Sequence, residues 1–276
     1  MFKLGEVNHL TVLRETRIGL YLGDDEGNDI LLPVKYVNKP YMVGQTIPVF
    51  VYKDNEGRWI CTTLRPYIKV NQFAYLKIRS VSSFGAFAEW GIEKDLLVPF
   101  REQNRKMVEG QRYVLYLYED QDTGRLVASN KIHRFLNNED MSLSINDEVD
   151  LLVFETTPLG YNVIVNHQHK GLLYHSDLFQ QVRIGDRMKG YVKQIREDLG
   201  LDISPVPLGM QRLEEGAEEI LEYLQLHKGF VALTDKSSPE AIQRIFDQSK
   251  KTFKRSVGIL YKEKRIRLEP DGIYLI

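Results

Sequence analysis

Along Ala74-Tyr75-Leu76-Lys77-Ile78-Arg79-Ser80-Val81, and again from Tyr113 to Tyr118, apolar and polar positions alternate in places. Both stretches are rich in strand formers, so they predict strands with one buried face. Between them the pattern is finer. Ser82-Ser83 reads as a turn and residues 84–90 as a second strand, whose Gly85 marks a bulge or a close backbone approach. Residues 95–99 form a short apolar third strand, and the polar stretch 101–107 a short helix or loop. Asp122-Thr123-Gly124 turns, and residues 125–129 close the unit. Five strands with the longer connection between the third and fourth predict a partly open, OB-type barrel.

The same order of elements occurs three times. Phe84-Gly85-Ala86-Phe87, Leu96-Leu97-Val98-Pro99, Glu109-Gly110-Gln111 and Asp120-Gln121-Asp122-Thr123-Gly124-Arg125 form the clearest copy. Ahead of it run Ile18-Gly19-Leu20-Tyr21, Leu31-Leu32-Pro33, Val43-Gly44-Gln45 and Asp54-Asn55-Glu56-Gly57-Arg58. Behind it run Leu159-Gly160-Tyr161, Gly171-Leu172-Leu173-Tyr174-His175, Ile184-Gly185-Asp186 and Glu197-Asp198-Leu199-Gly200. The period is about 70 residues, and a period of this kind sets the architecture. In the third repeat, strands are expected at 149–155, 161–166, 171–174, 188–196 and 201–204. Connectors fall near Arg65-Pro66, near 137–140 and over 205–216.

From Ala217 the period changes to that of a helix, with Ile220, Leu221, Leu224 and His227 at helical spacing and Gly229 ending it. Residues 230–233 suit a short strand. Ser238-Pro239 opens a second helix, and Ser249 caps a third that runs to about Tyr261. Residues 265–268, Pro270-Asp271-Gly272 and 273–275 read as strand, turn, strand, so the tail is expected to be a winged helix-turn-helix. The predicted fold class is mainly β and multidomain: three tandem OB-fold barrels at 1–66, 67–141 and 142–210, then a small α+β winged-helix domain at 211–276.

Composition narrows the chemistry. Thirty-seven basic and 38 acidic residues leave a net charge of −1, so attraction for a polyanion must come from local patches. Cys61 is the single cysteine, which rules out an intrachain disulfide and suits a reducing compartment. The start of the chain lacks a signal peptide's apolar region, and no apolar run approaches the roughly 20 residues of a membrane span. A cytoplasmic protein without membrane contact is expected. There is no phosphate-binding glycine loop, nucleophile elbow or zinc-protease helix. His167-Gln168-His169, with His175 nearby, lacks further ligands, so no metal, cofactor or catalytic centre is expected.

A barrel face binds single strands by stacking bases on aromatic rings. Phe84 and Phe87, with Arg125 after the tight turn, are the candidates in the second repeat; the alternatives are a barrel core and a solvated arginine. Tyr21 and Arg58 hold the matching positions in the first repeat. In the third the matching residues are Asn162 and Leu201, while His175 stands where the others have Pro33 and Pro99. On the third tail helix, Phe253, Val257, Leu260 and Tyr261 make an apolar face, and Lys250, Lys251, Lys254 and Arg255 gather around its first turns. A helix in this place reads DNA in many winged helices, although a charge run is usually a solvated face. Lys262, Lys264, Arg265 and Arg267 continue the positive charge into the wing.

Trp90-Gly91-Ile92-Glu93-Lys94-Asp95-Leu96-Leu97-Val98-Pro99-Phe100-Arg101-Glu102-Gln103 is the most specific segment. With Ser249-Lys250-Lys251-Thr252-Phe253-Lys254-Arg255, Gly258-Ile259-Leu260-Tyr261-Lys262 and Asp271-Gly272-Ile273, it carries a resemblance over essentially the whole chain. The repeats resemble the S1 RNA-binding domain, and the chain resembles the CvfB/YitL-like family, three S1 domains followed by a winged helix. The resemblance implies RNA binding, a part in post-transcriptional or virulence-linked regulation, and no known catalysis. It places the ligand face on Phe84, Phe87 and Arg125, on Tyr21 and Arg58, and on the third repeat's His175. A histidine is favoured after the third strand, and Pro33 and Pro99 depart from that. The expectation is a non-enzymatic binder of single-stranded RNA, whose weak modules add up through short linkers. The rival expectations are a duplex-DNA transcription regulator and a protein-interaction scaffold.

Overall fold

The computed structural model describes residues 1–178, 181–234 and 236–276. Strands β1 (Val7–Thr16), β2 (Gly19–Gly23), β3 (Asp29–Pro33), β4 (Thr46–Lys53) and β5 (Trp59–Thr62) close into a barrel in the order β1-β2-β3-β5-β4. Its interior is the alternating set expected of a pleated strand, including Leu10, Val12, Leu22, Leu32, Val49, Val51 and Cys61. In the second repeat β6 (Phe73–Val81), β7 (Gly85–Glu89), β8 (Leu96–Pro99), β9 (Arg112–Asp120) and β10 (Arg125–Ser129) form a five-stranded sheet in the order β10-β9-β6-β7-β8. Its edges β8 and β10 lie against one another, so this unit is the partly open form of the same barrel. In the third, β11 (Glu148–Thr156), β12 (Gly160–Val165), β13 (His169–Tyr174), β14 (Arg187–Ile195) and β15 (Leu201–Ser204) close again as β11-β12-β13-β15-β14.

The three repeats share their irregularities. The first strand slips register once in each, between Val12 and Arg14, Ile78 and Ser80, and Val153 and Glu155. The second strand begins each time with a glycine, Gly19, Gly85 or Gly160. A Cβ there would lie 2.1, 2.3 or 2.1 Å from the carbonyl oxygen of Leu32, Val98 or Leu173. A short 3-10 turn follows the third strand in each: Val34–Tyr36, Phe100–Glu102 and His175–Asp177.

The chain separates into two compact units, one of Met1–Ser142, Val149–Lys189 and Arg196–Gly200, the other of Leu143–Glu148, Gly190–Ile195 and Leu201–Ile276. Within the first unit the barrels are joined by packing. Phe50 and Tyr52 on β4 belong to the same core as Trp90, Ile92 and Leu96, and the Phe50 and Trp90 rings meet edge to face at 5.6 Å. The connector near Arg65-Pro66 is part of that joint. Ile68 is buried, the Tyr67 N–H donates to Trp90 O at 2.8 Å, and the Val70 N–H donates to Gly5 O at 2.9 Å. Lys94 Nζ donates to the carbonyls of Lys53 and Asp54 at 2.8 and 2.9 Å. Flexible tethering between these two barrels is therefore replaced by a shared core. Phe73, Val114 and Ile132 likewise pack with Leu152 and Ile164.

In the second unit α1 (Leu208–Leu226), β16 (Phe230–Val231), α2 (Pro239–Phe246), α3 (Lys250–Lys262), β17 (Ile266–Glu269) and β18 (Gly272–Leu275) give a winged helix with sheet order β16-β18-β17. The caps fall on the expected serines: Ser238 Oγ accepts the Ala241 N–H and Ser249 Oγ the Thr252 N–H, each at 3.2 Å. Helix α1 starts inside the stretch expected to be a connector. Leu, Met, Gln and Glu are good helix formers, but Gly209 and Gly216 disguise the run. Gly216 is there for proximity: a Cβ would lie 2.9 Å from Ser256 Oγ and Gln248 Nε2. Those side chains donate to Leu213 O and Gly216 O at 3.0 and 2.9 Å.

Candidate nucleic-acid interface

The second repeat brings its three candidates together. Phe84, Phe87 and Arg125 line one open groove of about 670 Å³ with Leu97, Leu126 and Asn55. Phe84 sits in the turn before β7, where Ser82 N–H donates to Gly85 O at 2.9 Å and Phe84 N–H to Ser82 Oγ at 3.1 Å. Standing outside the strand, it escapes strand alternation and is 75% exposed. Phe87 is half-buried and pairs with Ser80, just past the register slip. The bulge expected at Gly85 is thus on the partner strand. Arg125 is exposed and forms no ion pair among the described residues. The carboxylates nearby are engaged: Asp95 with Arg79 at 3.0 Å, and Glu93 with Lys35 and the Tyr36 hydroxyl. Lys35 and Tyr36 hold the Glu93 pKa down, whereas burial raises that of Asp95. Burial, then the charge of Arg125, lowers the pKa of Lys94.

The first repeat has the same residue types with their partners already in place. Tyr21 pairs with Arg14, whose guanidinium lies 4.1 Å over the ring and binds Asp29 at 2.6 Å. Arg58 reaches Asp54 at 2.7 Å and Glu56 at 2.8 Å, contacts that raise its pKa.

In the third repeat two sequence equivalences shift by one residue. Asn162 does match Phe87 and Tyr21, and it donates to Glu155 across the slip at 2.5 Å. The match to Arg58, however, is Gly200 and not Leu201, because Arg196 N–H donates to Gly200 O as Asp54 N–H does to Arg58 O. Arg196 lies over that glycine, its guanidinium 2.1 Å from where a Cβ would be. Similarly, Gly160 pairs with Tyr174 as Gly19 and Gly85 pair with Pro33 and Pro99. His175 therefore matches Val34 and Phe100. It is exposed, its Nε2 lies 3.2 Å from Thr157 O, and its ring meets Tyr161 edge on at 5.0 Å. The second repeat then holds an aromatic where the family pattern favours histidine: Phe100, 44% exposed, one residue beyond the Gly85–Pro99 pair as Phe84 is on the facing chain. The signal in the sequence was the residue after Val98-Pro99, hidden by aligning on the proline.

On α3 the buried face is Phe253, Ser256, Val257 and Leu260; Tyr261, expected there, is 57% exposed. Position 261 falls at the rim of the stripe. Lys251, Lys254 and Arg255 are exposed, Lys250 half-buried, and the first turn has no acidic residue. Toward the wing, Lys262 and Lys264 are exposed, whereas Arg265 lies 3.6 Å from Glu218, and Arg267 3.6 Å from Glu269 and 4.7 Å from the Tyr274 ring centre. Nor do the histidines converge. His167 Nδ1 accepts the Phe73 N–H at 3.0 Å, and His169 Nδ1 faces Asn137 O at 2.5 Å.

Five-stranded barrels joined to a winged helix define a multidomain protein of nucleic-acid-binding folds. Residues 4–64 match the S1 domain family, and residues 218–275 match the CvfB-like winged helix domain. The chain resembles the CvfB/YitL-like family over nearly its whole length. It is 24% identical to conserved virulence factor B of Staphylococcus saprophyticus, covering 99% of this chain and 94% of that one. It is 26% identical to YitL of Bacillus subtilis, covering 98% and 93%. A crystal structure of a multidomain protein with nucleic acid binding domains from Streptococcus pneumoniae covers 99% and 98%, at 24% identity and a TM-score of 0.42. Among the described residues, no helix is long and apolar enough to cross a membrane.

Proposed function

We propose that the protein is a non-enzymatic, cytoplasmic binder of single-stranded RNA that acts in post-transcriptional regulation. The second repeat's groove leads, and the exposed cations of α3 add phosphate contacts. The observation that carries this reading is the groove itself, with two accessible rings and a guanidinium that forms no ion pair among the described residues facing one open space. Stacking contributes about 1–3 kcal/mol per base and suits any base. Arg125 supplies a phosphate contact or a second stacking plane. Tyr21 is already covered by Arg14, and Arg58 is already neutralised, so the first repeat is the weaker partner.

The test is fluorescence anisotropy near physiological salt, with a labelled 20-mer RNA, its DNA counterpart and a duplex. Single-stranded RNA is expected to bind ahead of duplex. Phe87→Ala and Arg125→Ala should each weaken it by about 5- to 100-fold, and Tyr21→Ala by less than about 3-fold. Binding to duplex alone would move the function to α3. Binding to none of the three would leave a protein-interaction scaffold.

A further inference from the structure

The chain is electrically balanced, yet one groove outside the aromatic one is not. On the first barrel's β4 side, a groove of about 760 Å³ is walled by the loop before β4 and by the first half of β4, and floored by the 62–69 segment that joins the first two barrels. Lys39, Arg65 and Lys69 line it and no carboxylate does. None of the three forms an ion pair among the described residues, and Lys39 Nζ lies 5.5 Å over the Tyr41 ring centre. Two residues after Arg65, Tyr67 is 63% exposed and opens on a second groove, of about 520 Å³. Lys77, Arg112 and Arg187 line that one with a single carboxylate, Glu89, which lies 3.6 Å from Arg79. Two grooves meeting at one short connector thus hold six cations and one acid.

We infer that this connector floors a second nucleic-acid track, which takes the phosphodiester backbone of the strand whose bases the second repeat stacks. The inference rests on the single-strand reading above. Backbone rather than base is the fitting ligand for the first groove. Of its rings, Tyr41 is half-buried and tied through its hydroxyl to Asn38 at 2.7 Å and Phe50 is buried, so Lys39, Arg65 and Lys69 are the charged groups left to meet the ligand. Phosphates take up such point charges, and each neutralised phosphate on a single strand releases about 0.7 counterion. The shared core between the barrels holds the connector in place, so the charges are arranged before the ligand arrives.

The experiment compares wild type, Lys39→Ala/Arg65→Ala/Lys69→Ala and Phe87→Ala/Arg125→Ala in the full chain, with a 20-mer and a 6-mer RNA across a salt series. The basic triple variant should lower the salt slope for the 20-mer by about 2 and weaken it roughly 10- to 100-fold at 0.1 M salt, leaving the 6-mer as in wild type. The aromatic variant should weaken both lengths. Equal slope and affinity in triple variant and wild type would overturn the track and leave the groove reading standing. An equal loss for both lengths would overturn it as a separate track. Failure of wild type to bind either RNA would sink the single-strand reading and the track with it. Should the triple variant melt early, the exposed Lys39→Glu alone must still reduce the slope.

Discussion

At the scale of single residues, one backbone approach sets the ligand face. Each repeat turns into its second strand so tightly that the facing carbonyl occupies the space of a Cβ, which leaves glycine as the fitting residue. Gly85 thereby fixes where Phe84 leaves the turn and where Phe87 faces Ser80. Gly57 offers a control, since its φ is also positive, at 85°, but nothing lies within 4 Å of its would-be Cβ. Gly57→Ala should cost about 1–2 kcal/mol of stability from the left-handed backbone alone. Gly85→Ala should cost at least about 2 kcal/mol more in urea unfolding, with loss of RNA binding. Equal costs at the two positions would remove the steric argument. The glycine was legible in the sequence because it recurs at the same place in three repeats. The residue after the third strand was not: pairing is set by backbone register, and a one-residue slip between aligned motifs moves His175 from Pro99 to Phe100. The exposed Phe100 therefore stands at the position of His175, one residue beyond the Gly85–Pro99 pair.

Helix α3 shows how an element reports its use through its own energetics. Its Ser249 cap satisfies an orphan N–H, so Ser249→Ala should cost about 1 kcal/mol. Lys250 and Lys251 follow directly, with no acid in the first turn, and cations there oppose the helix dipole. Lys251→Glu should therefore stabilise the helix by about 0.3–1 kcal/mol. If α3 contacts nucleic acid, the same change should weaken binding and reduce the salt slope by about 1. Melting temperature and affinity then move in opposite directions; a merely solvated face would raise the first and leave the second unchanged. Elements were read most easily where local chemistry marks their ends, as at Ser238-Pro239 and Ser249. Helix α1 starts earlier than the helical period at Ala217 suggests, and Gly216 within it answers to a tertiary demand, the approach of Ser256 and Gln248.

Over the molecule as a whole, period and composition disclosed the three barrels and the winged helix, but no local signal marked the surfaces that join the repeats. Phe50 and Tyr52 look like ordinary strand residues until Trp90 is placed beside them. The joint between the second and third repeats is built on His167, whose ring stacks on Phe73 at 6.3 Å and whose Nδ1 accepts the Phe73 N–H. Arg187, donating to Phe73 O at 2.9 Å, completes the clasp. An accepting Nδ1 carries no proton, and the surroundings keep it so: burial first, then Arg187, lower the pKa of His167 below its ordinary 6.5, against the opposing pull of Asp150. Folding therefore disfavours proton uptake at this ring. Its contribution to stability is complete above pH 6.5 and falls as the pH drops through that value toward the lower folded pKa. Hydrogen exchange at the Phe73 amide tests this directly. Base-catalysed exchange slows as pH falls, so protection at Phe73 that weakens between pH 7.5 and 5.5, against the trend of neighbouring strand amides, would show the clasp opening. His167→Ala should remove that pH dependence and leave Phe73 poorly protected throughout. Unchanged protection of Phe73 in wild type down to pH 5 would mean that the barrels are held by the Leu152, Ile164 and Val114 core, with the histidine a bystander.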